Sequence, residues 1–318
     1  MQAVGLYEFG GPDVLRIVDL PDPHAGPGEV RVRVHAAAVN PADTLIRAGV
    51  HARAFAGIPA PYVPGMDIAG VVDEISPGTE TGLSPGDPVM AMAHPIGPAA
   101  GGYAEYLVLP AGRVVRAPAG IDHAAAATLP MNGLTALLAL DQLALAPGSV
   151  LAVIGAAGTL GGYLVQLAAH AGLTVVADAA PADEALVRRS GAADVVARGP
   201  DVAERLRARY PEGVDAVADT ALLGPRLLDA VRDGGALALF RSPDEPGGYR
   251  TGGRGITVRT PFVPDYADRT DKLDEIRRLA EAGVLVPRVA AALPAAQAAE
   301  AHRRLEAGGL RGRLVLTF

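Results

Sequence analysis

The sequence predicts an α/β protein, with a parallel, doubly wound sheet preceded by a compact β-rich unit. Three observations carry this prediction. Residues 1–120 hold short alternating runs punctuated by Gly and Pro. From about Asp122 the pattern becomes strand, helix, strand, repeated. At Gly155–Gly161 a glycine-rich turn leaves an apolar strand and opens a helix.

Val30-Arg31-Val32-Arg33-Val34 alternates with the two-residue period of a half-buried strand. Ile68–Ile75 and Tyr106–Leu109 are the next strands, separated by turn clusters such as Ala25-Gly26-Pro27-Gly28 and Ser84-Pro85-Gly86-Asp87. Together they suggest a barrel-like unit. Asp122 is placed to cap an Ala-rich helix, His123–Leu129, and a second helix runs from Gly133 to Leu143, before Ala146-Pro147-Gly148. Strands then follow at Val150–Ile154, Thr174–Ala177, Asp194–Val196, Asp215–Asp219, Ala236–Phe240 and Ile256–Arg259. Helices fill 160–171, 183–190, 201–209 and 223–232. The tail adds two amphipathic helices, Asp268–Ala282 and Ala295–Ala307, and a last strand, Arg313–Phe318, free to return to the first domain. Ser242–Gly255, with five Gly and two Pro, is the expected mobile loop.

The 318 residues fit two domains at roughly 150 each. Half are hydrophobic and a fifth charged, as in a soluble globular protein. No cysteine is present, which excludes disulfides, a cysteine nucleophile, an iron–sulfur cluster and cysteine-ligated zinc. A metal held by His and carboxylate alone is not excluded by composition. The net charge is −7, and the basic residues, all Arg but Lys272, form no stripe. That argues against nucleic acid and against an anionic membrane surface. Tryptophan is absent and aromatics are 4%, so a base-stacking platform is not expected. No 18-residue apolar run stands clear of Gly, Pro or charge, so no transmembrane helix is expected. Met1-Gln2-Ala3-Val4 has no signal-like n-region or h-region, and the expectation is a cytoplasmic protein.

In Gly155-Ala156-Ala157-Gly158-Thr159-Leu160-Gly161, Gly158 lets the backbone approach a pyrophosphate and Gly161 lets the helix pack on the sheet. The free N–H groups at the helix start, with a dipole end of roughly +0.5 charge, would receive phosphates, and Thr159 would add a hydroxyl. The alternative is a tight turn of any α/β protein. Ala156 stands where G-x-G-x-x-G has its first Gly, with Gly155 preceding it.

Further strings extend along the chain: Gly11-Pro12-Asp13-Val14-Leu15, Ala38-Val39-Asn40-Pro41-Ala42-Asp43, Pro64-Gly65-Met66-Asp67-Ile68-Ala69-Gly70, Pro85-Gly86-Asp87-Pro88-Val89, Gly102-Tyr103-Ala104-Glu105-Tyr106, Gly133-Leu134-Thr135-Ala136 and Gly312-Arg313-Leu314-Val315-Leu316. With the glycine turn, their order resembles the zinc-independent, quinone-oxidoreductase-like (zeta-crystallin-like) branch of the medium-chain dehydrogenase/reductase superfamily. The resemblance implies a GroES-like catalytic domain from 1–122 and 264–318, a Rossmann dinucleotide-binding domain at 123–263, and an active site in the cleft between them. Zinc-bearing relatives carry a Cys within the stretch that here reads Val39–Asp43, and Gly-His-Glu where this chain has Gly65-Met66-Asp67. No metal is therefore expected.

The resemblance further implies NADPH as cofactor, with NADH left open. An acid at the end of the second strand bonds a ribose 2′-OH, whereas a small residue with a nearby cation accepts a 2′-phosphate. By spacing, that position falls at Ala179, one after Asp178, which is then either the strand's end cap or the ribose ligand. Arg198 follows the third strand, where relatives contact the adenosine side; pairing with the phosphate and simple solvation both stand. Asn40 corresponds to a residue near the nicotinamide and Thr135 faces the cofactor. Thr220 and Phe240 end the fourth and fifth strands, and the resemblance implies that Phe262-Val263 meets the carboxamide. Thr135 and Thr220 also suit the role of caps.

Relatives without metal reduce electrophiles activated by conjugation: quinones, enones and enals. His94, Tyr62 and Tyr103 are the candidate proton donors, although an exposed loop histidine and a packed tyrosine are the plainer readings. No Gly-x-Ser-x-Gly elbow supports a triad. Asp43 and Asp67 are expected to bond local backbone. The resemblance thus implies an NAD(P)H-dependent, zinc-independent oxidoreductase acting on a small molecule, and a homodimer, for which the strand near Ile256–Arg259 is the candidate contact. An enoyl reductase dedicated to one bulky intermediate, its pocket shaped by the Met90–Ala100 and Ser242–Gly255 loops, and a non-catalytic crystallin-like or RNA-binding protein are the alternatives.

Overall fold

The computed structural model describes residues 1–96, 101–241 and 253–318. Its internal contacts divide the chain into two compact units. The first is Met1–Met131 with Pro264–Gly283 and Pro287–Phe318; the second is Asn132–Val263 with Val284–Val286. The change of unit thus comes at 131/132 rather than at 122/123, because the capped helix at Asp122 packs on strands of the first unit.

The first unit opens with an antiparallel hairpin, β1 (Gln2–Gly5) and β2 (Arg16–Asp19). Strand β3 (Glu29–Val39) is the backbone of the main sheet and leads through Asn40 into helix α1 (Pro41–Arg47). β4 (Asp67–Ile75), β5 (Pro88–Met92), β6 (Tyr106–Pro110), β7 (Val114–Arg116) and helix α2 (His123–Ala126) follow. Val30, Val32 and Val34 of β3 are buried, as the alternation requires. Register shifts in the β3–β4 pair let β3 bend and serve several neighbours. Gly70 is needed on β4, since a Cβ there would overlap the Arg33 carbonyl.

Helix α3 (Pro130–Leu143) carries the chain into the second unit. There β8 (Val150–Ile154), α4 (Thr159–His170), β9 (Thr174–Ala179), α5 (Glu184–Arg189), β10 (Asp194–Ala197), α6 (Val202–Arg209), β11 (Val214–Asp219), β12 (Val231–Leu239) and β13 (Thr257–Arg259) alternate. All pairs are parallel, in the order β10-β9-β8-β11-β12-β13. This is the doubly wound order, with the strand order reversing beside β8. Back in the first unit, α7 (Thr270–Glu281), β14 (Val289–Pro294), α8 (Ala298–Ala307) and β15 (Arg313–Thr317) close the chain. β15 lies antiparallel to β3, so the terminal strand does return to the first unit.

Several local expectations change. The helix expected at 223–232 is a short 3-10 segment, Gly224–Ala230, and β12 already begins at Val231. Pro225 removes one donor near its start and Gly224 is left-handed, with φ 59°. β14 and the N-terminal hairpin were not expected; Val289–Pro294 is Ala-rich and, at the end of its sheet, pairs among the described residues with β15 alone. The stretch His123–Leu143 is long and apolar enough to span a membrane, yet it is mostly buried within the protein, whose own packing accounts for its composition. Most of Ser242–Gly255, and the end of the Met90–Ala100 loop, lie outside the described residues.

Candidate functional site

In the second unit the glycine turn, Asp178, Arg198, Thr220 and Phe240 lie at or just beyond the carboxyl ends of parallel strands, where doubly wound folds bind ligands. β8 is buried from Leu151 to Ile154 and ends in Gly155, whose φ of 82° needs glycine. Gly155 O accepts from Gly158 N at 2.9 Å, folding the turn back on itself. A Cβ on Gly161 would overlap that same Gly155 carbonyl, so the turn and helix α4 meet backbone to backbone. The first closed bond of α4 is Gly162 N to Gly158 O, 2.9 Å. The N–H groups of Thr159, Leu160 and Gly161 therefore precede the helical ladder, as an anion site requires.

Asp178, in β9, is buried, and its Oδ1 accepts from Gly155 N at 2.7 Å and Ala156 N at 3.2 Å. Burial raises its pKa, against those two bonds and the nearby Arg198 charge. Thr220, after β11, donates from Oγ1 to Ile154 O at 2.6 Å. Asp219, fully buried, accepts from Ala221 N and Gly224 N and shapes the exit of β11. Arg198 follows β10, exposed, with its backbone N–H on Ala179 O at 2.9 Å. Phe240 is half-buried after β12; beyond β13, Val263 is buried and Phe262 is 63% exposed. Thr135 lies buried on α3, away from its ends.

In the first unit Asn40 is fully buried between two fully buried carboxylates. Its Nδ2 donates to Asp67 Oδ2 at 2.7 Å, and its backbone N–H donates to Asp43 Oδ2 at 2.8 Å. Asp43 also accepts from Gly65 N at 3.1 Å and from the Tyr103 hydroxyl at 3.2 Å; Asp67 Oδ1 accepts from Met131 N at 2.6 Å. Burial pushes Asp43 up to about 6 and Asp67 up to about 7, against these bonds and the Arg313 charge. Burial, then Asp43, drives the Tyr103 phenol well above its ordinary range.

The Tyr103 hydroxyl also meets His302 Nε2 at 3.2 Å. Having given its one proton to Asp43, it accepts from His302, which fixes the proton on Nε2. His302 Nδ1 is buried without a hydrogen-bond partner among the described residues. Burial, with Arg47 adding to it, lowers the imidazole to about 3, so it stays neutral. His302 was missed from the sequence. Its signal was a histidine on the buried stripe of α8, beside Ala298 and Ala301.

The structure thus joins Tyr103 to Asn40 through Asp43. It does not bring Tyr62 or His94 into this network among the described residues. Tyr62 stacks on Phe9, with centroids 5.1 Å apart and planes 8° apart, leans on Phe55, and exchanges backbone bonds with Leu6. His94 is half-buried and its pKa is lowered by burial and by Arg113.

Residues 26–119 match the alcohol dehydrogenase GroES-like domain, and residues 182–316 match the zinc-binding dehydrogenase family. A 2-haloacrylate reductase of a Burkholderia species is 30% identical over 99% of this chain and 98% of its own length. The quinone oxidoreductase of Sus scrofa is 28% identical over 99% of this chain and 97% of its own. A mycobacterial protein solved with NADPH superposes with a TM-score of 0.85 at 29% identity, covering 100% of both chains. The chain belongs to the medium-chain dehydrogenase/reductase superfamily, in its quinone-oxidoreductase-like branch.

The resemblance implies that zinc-bearing relatives carry a Cys within the stretch that here reads Val39–Asp43, and Gly-His-Glu in Gly65–Ala69, where this chain has Asn40-Pro41 and Met66-Asp67. Those residues do not fit zinc. The Asn40 amide N–H faces Asp67, both Asp67 oxygens accept hydrogen bonds, and Met66 offers a thioether. Among the described residues no three His, Cys, Asp or Glu side chains form a metal group. A nicotinamide dinucleotide does fit, because the turn at Gly155–Gly161 is the close backbone cradle it needs.

Proposed function

We propose that this protein is a cytoplasmic, NADPH-dependent reductase that transfers hydride to a quinone or an α,β-unsaturated carbonyl without a metal. The observation that carries the reading is the pairing of an intact glycine-turn cradle with a donor set, Asn40 and Met66-Asp67, unsuited to zinc. Relatives named for quinone and haloacrylate reduction point to the same substrate class. When bound, the nicotinamide supplies the hydride. The chain's part is to bind and orient: the turn and the first N–H groups of α4 hold the pyrophosphate, and Thr135, Phe240, Phe262 and Val263 contact the cofactor. A substrate already polarised by conjugation needs orientation and a hydrogen bond to its developing oxyanion rather than a Lewis acid. His94 and Tyr62 are the side chains we assign to the substrate side.

The preference for NADPH rests on Arg198. It is exposed, forms no ion pair at contact distance among the described residues, and sits beside Ala179, where an acid would select NADH. β13, at the end of the parallel sheet, is the proposed contact between two copies. Fluorescence titration of the wild type and Arg198→Ala with NADPH and NADH tests the reading. Tighter NADPH binding that Arg198→Ala removes is expected; no binding of either cofactor at millimolar concentration would sink it. Turnover of a simple quinone against a bulky enone then places the substrate, and light scattering reads the dimer.

A further inference from the structure

The peptide unit joining Ile154 to Gly155 is gripped on both of its polar atoms by side chains from different strands. Its carbonyl, Ile154 O, accepts from Thr220 Oγ1 at 2.6 Å and from Thr220 N at 2.9 Å. Its N–H, on Gly155, donates to Asp178 Oδ1 at 2.7 Å. The same oxygen takes the next N–H, Ala156, at 3.2 Å. Asp178 comes from β9 and Thr220 from the end of β11, the two strands that flank β8 in the sheet. The grip is tight, since a Cβ on Gly155 would overlap Thr220 Oγ1.

A peptide plane fixed at both ends has one orientation. That orientation sends Gly155 into its left-handed conformation, aims Gly155 O at Gly158 N, and so sets where the N–H groups at the head of α4 point. Asp178 turns Oδ1 toward the turn and is itself buried, so its carboxylate is committed to the turn rather than presented at the surface where a ribose would arrive.

We propose that Asp178 and Thr220 are positioning residues that lock the Ile154–Gly155 peptide and preorganise the phosphate cradle before any cofactor arrives, and that Asp178 takes no part in choosing between NADPH and NADH. This rests on the dinucleotide-binding reading above. It places the source of affinity in the turn and leaves selectivity to residues beyond Ala179.

The test has two arms, on the full chain. In the first, hydrogen–deuterium exchange is followed without cofactor over peptides covering 150–162. Asp178→Ala and Thr220→Val are each expected to speed exchange there, and the double variant to be little worse than either single one, because both act on one peptide. Asp178→Asn, which keeps an acceptor oxygen, is expected to restore most of the protection. In the second arm, NADPH and NADH titrations of Asp178→Ala are expected to weaken by a common factor, about tenfold, the scale of one lost charge-assisted bond. Unchanged exchange in Asp178→Ala, or a shift of more than about tenfold in the NADPH to NADH ratio, the scale of one hydrogen bond to ribose, overturns the proposal. If the wild type binds neither cofactor, the reading above fails, and the exchange arm alone decides the lock. Circular dichroism melting identifies a variant that has not folded, and Asp178→Asn then carries both arms.

Discussion

Each unit directs buried carboxylates at backbone N–H groups, and the two do so under different conditions. In the second unit Asp178 holds the glycine turn, with the Arg198 charge favouring its ionised form and Asp219, which bonds the exit of β11, opposing it. In the first unit Asp43 and Asp67 are fully buried, share Asn40 between them, and repel one another with Arg313 as the compensating charge. Asp178 too is buried, and burial raises its pKa, but two backbone N–H groups and the Arg198 charge favour its ionised form. Complete burial, with the Asp43 charge adding to it at Asp67, draws the first unit's pair toward neutral pH. The second unit's acid therefore fixes one turn, while the first unit's acids tie together segments distant in the chain.

The sharpest way to break that comparison is to delete one acid from each unit. Asp43→Ala strands three donors, Asn40 N, Gly65 N and the Tyr103 hydroxyl, all inside the protein. At about 1–3 kcal/mol for each buried donor, less the relief of removing a buried charge, a loss of roughly 4 kcal/mol is expected. Asp178→Ala strands two donors rather than three, Gly155 N and Ala156 N, the first only partly buried, and about 2 kcal/mol is expected. Urea unfolding of the two variants measures both. Equal losses would show that Asp178 is as structural as Asp43.

The two regions were also unequally legible in the sequence. The glycine turn is local: seven consecutive residues with a strand before them and a helix after, so its position could be read directly. Asp178 was placed one residue from the ribose position, but which way its carboxylate faces depends on the register of β8 and β9, which no local pattern encodes. The acid network is harder still. Asp67 reaches Met131, 64 residues away, where the chain leaves α2 packed on β3 and β4, and Tyr103 reaches His302, 199 residues away, because β15 returns to β3 and α8 comes back with it. Asp43 and Asp67 were expected to bond local backbone, and the sequence contained nothing to join them to His302 or Arg313. The same limit hid β14, a strand whose Ala-rich run becomes legible only against its partner.

A second experiment sharpens the contrast through pH. Asp67 in the folded protein titrates near 7, above the 3.8 of a free Asp, and Asp43 near 6. The folded state therefore holds protons that the unfolded state has released. The stability these groups contribute is complete below about pH 3.8 and is lost as pH rises through about 6 and about 7. His302 runs the other way: lowered to about 3, it favours the folded state above pH 6.5 and loses that contribution as pH falls. Comparing Asp67→Asn with the wild type removes the histidine from the difference. From pH 6 to pH 8 the variant is expected to gain about 1.4 kcal/mol on the wild type, whatever its starting deficit. A difference that stays flat over this range would show that Asp67 is ionised throughout, as an acid in the manner of a surface carboxylate is.

The smallest effect separates structure from chemistry at Tyr103. Its hydroxyl lies between Asp43 and His302, with no exposed surface, and its phenol is held far above neutral pH. A group placed so is a poor donor to a substrate and a good strut. Tyr103→Phe removes one bond to each neighbour, and about 1–2 kcal/mol of stability is expected to go with them. Turnover of a quinone should stay within about threefold of the wild type, well short of the 100-fold or more that loss of a general acid brings. The shape of the pH–rate profile should not move. If instead turnover falls a hundredfold while the melting temperature holds, the proton for the reduced substrate passes through Tyr103. The neutral His302 behind it, with its buried Nδ1, then becomes the next group in the relay rather than a packed imidazole.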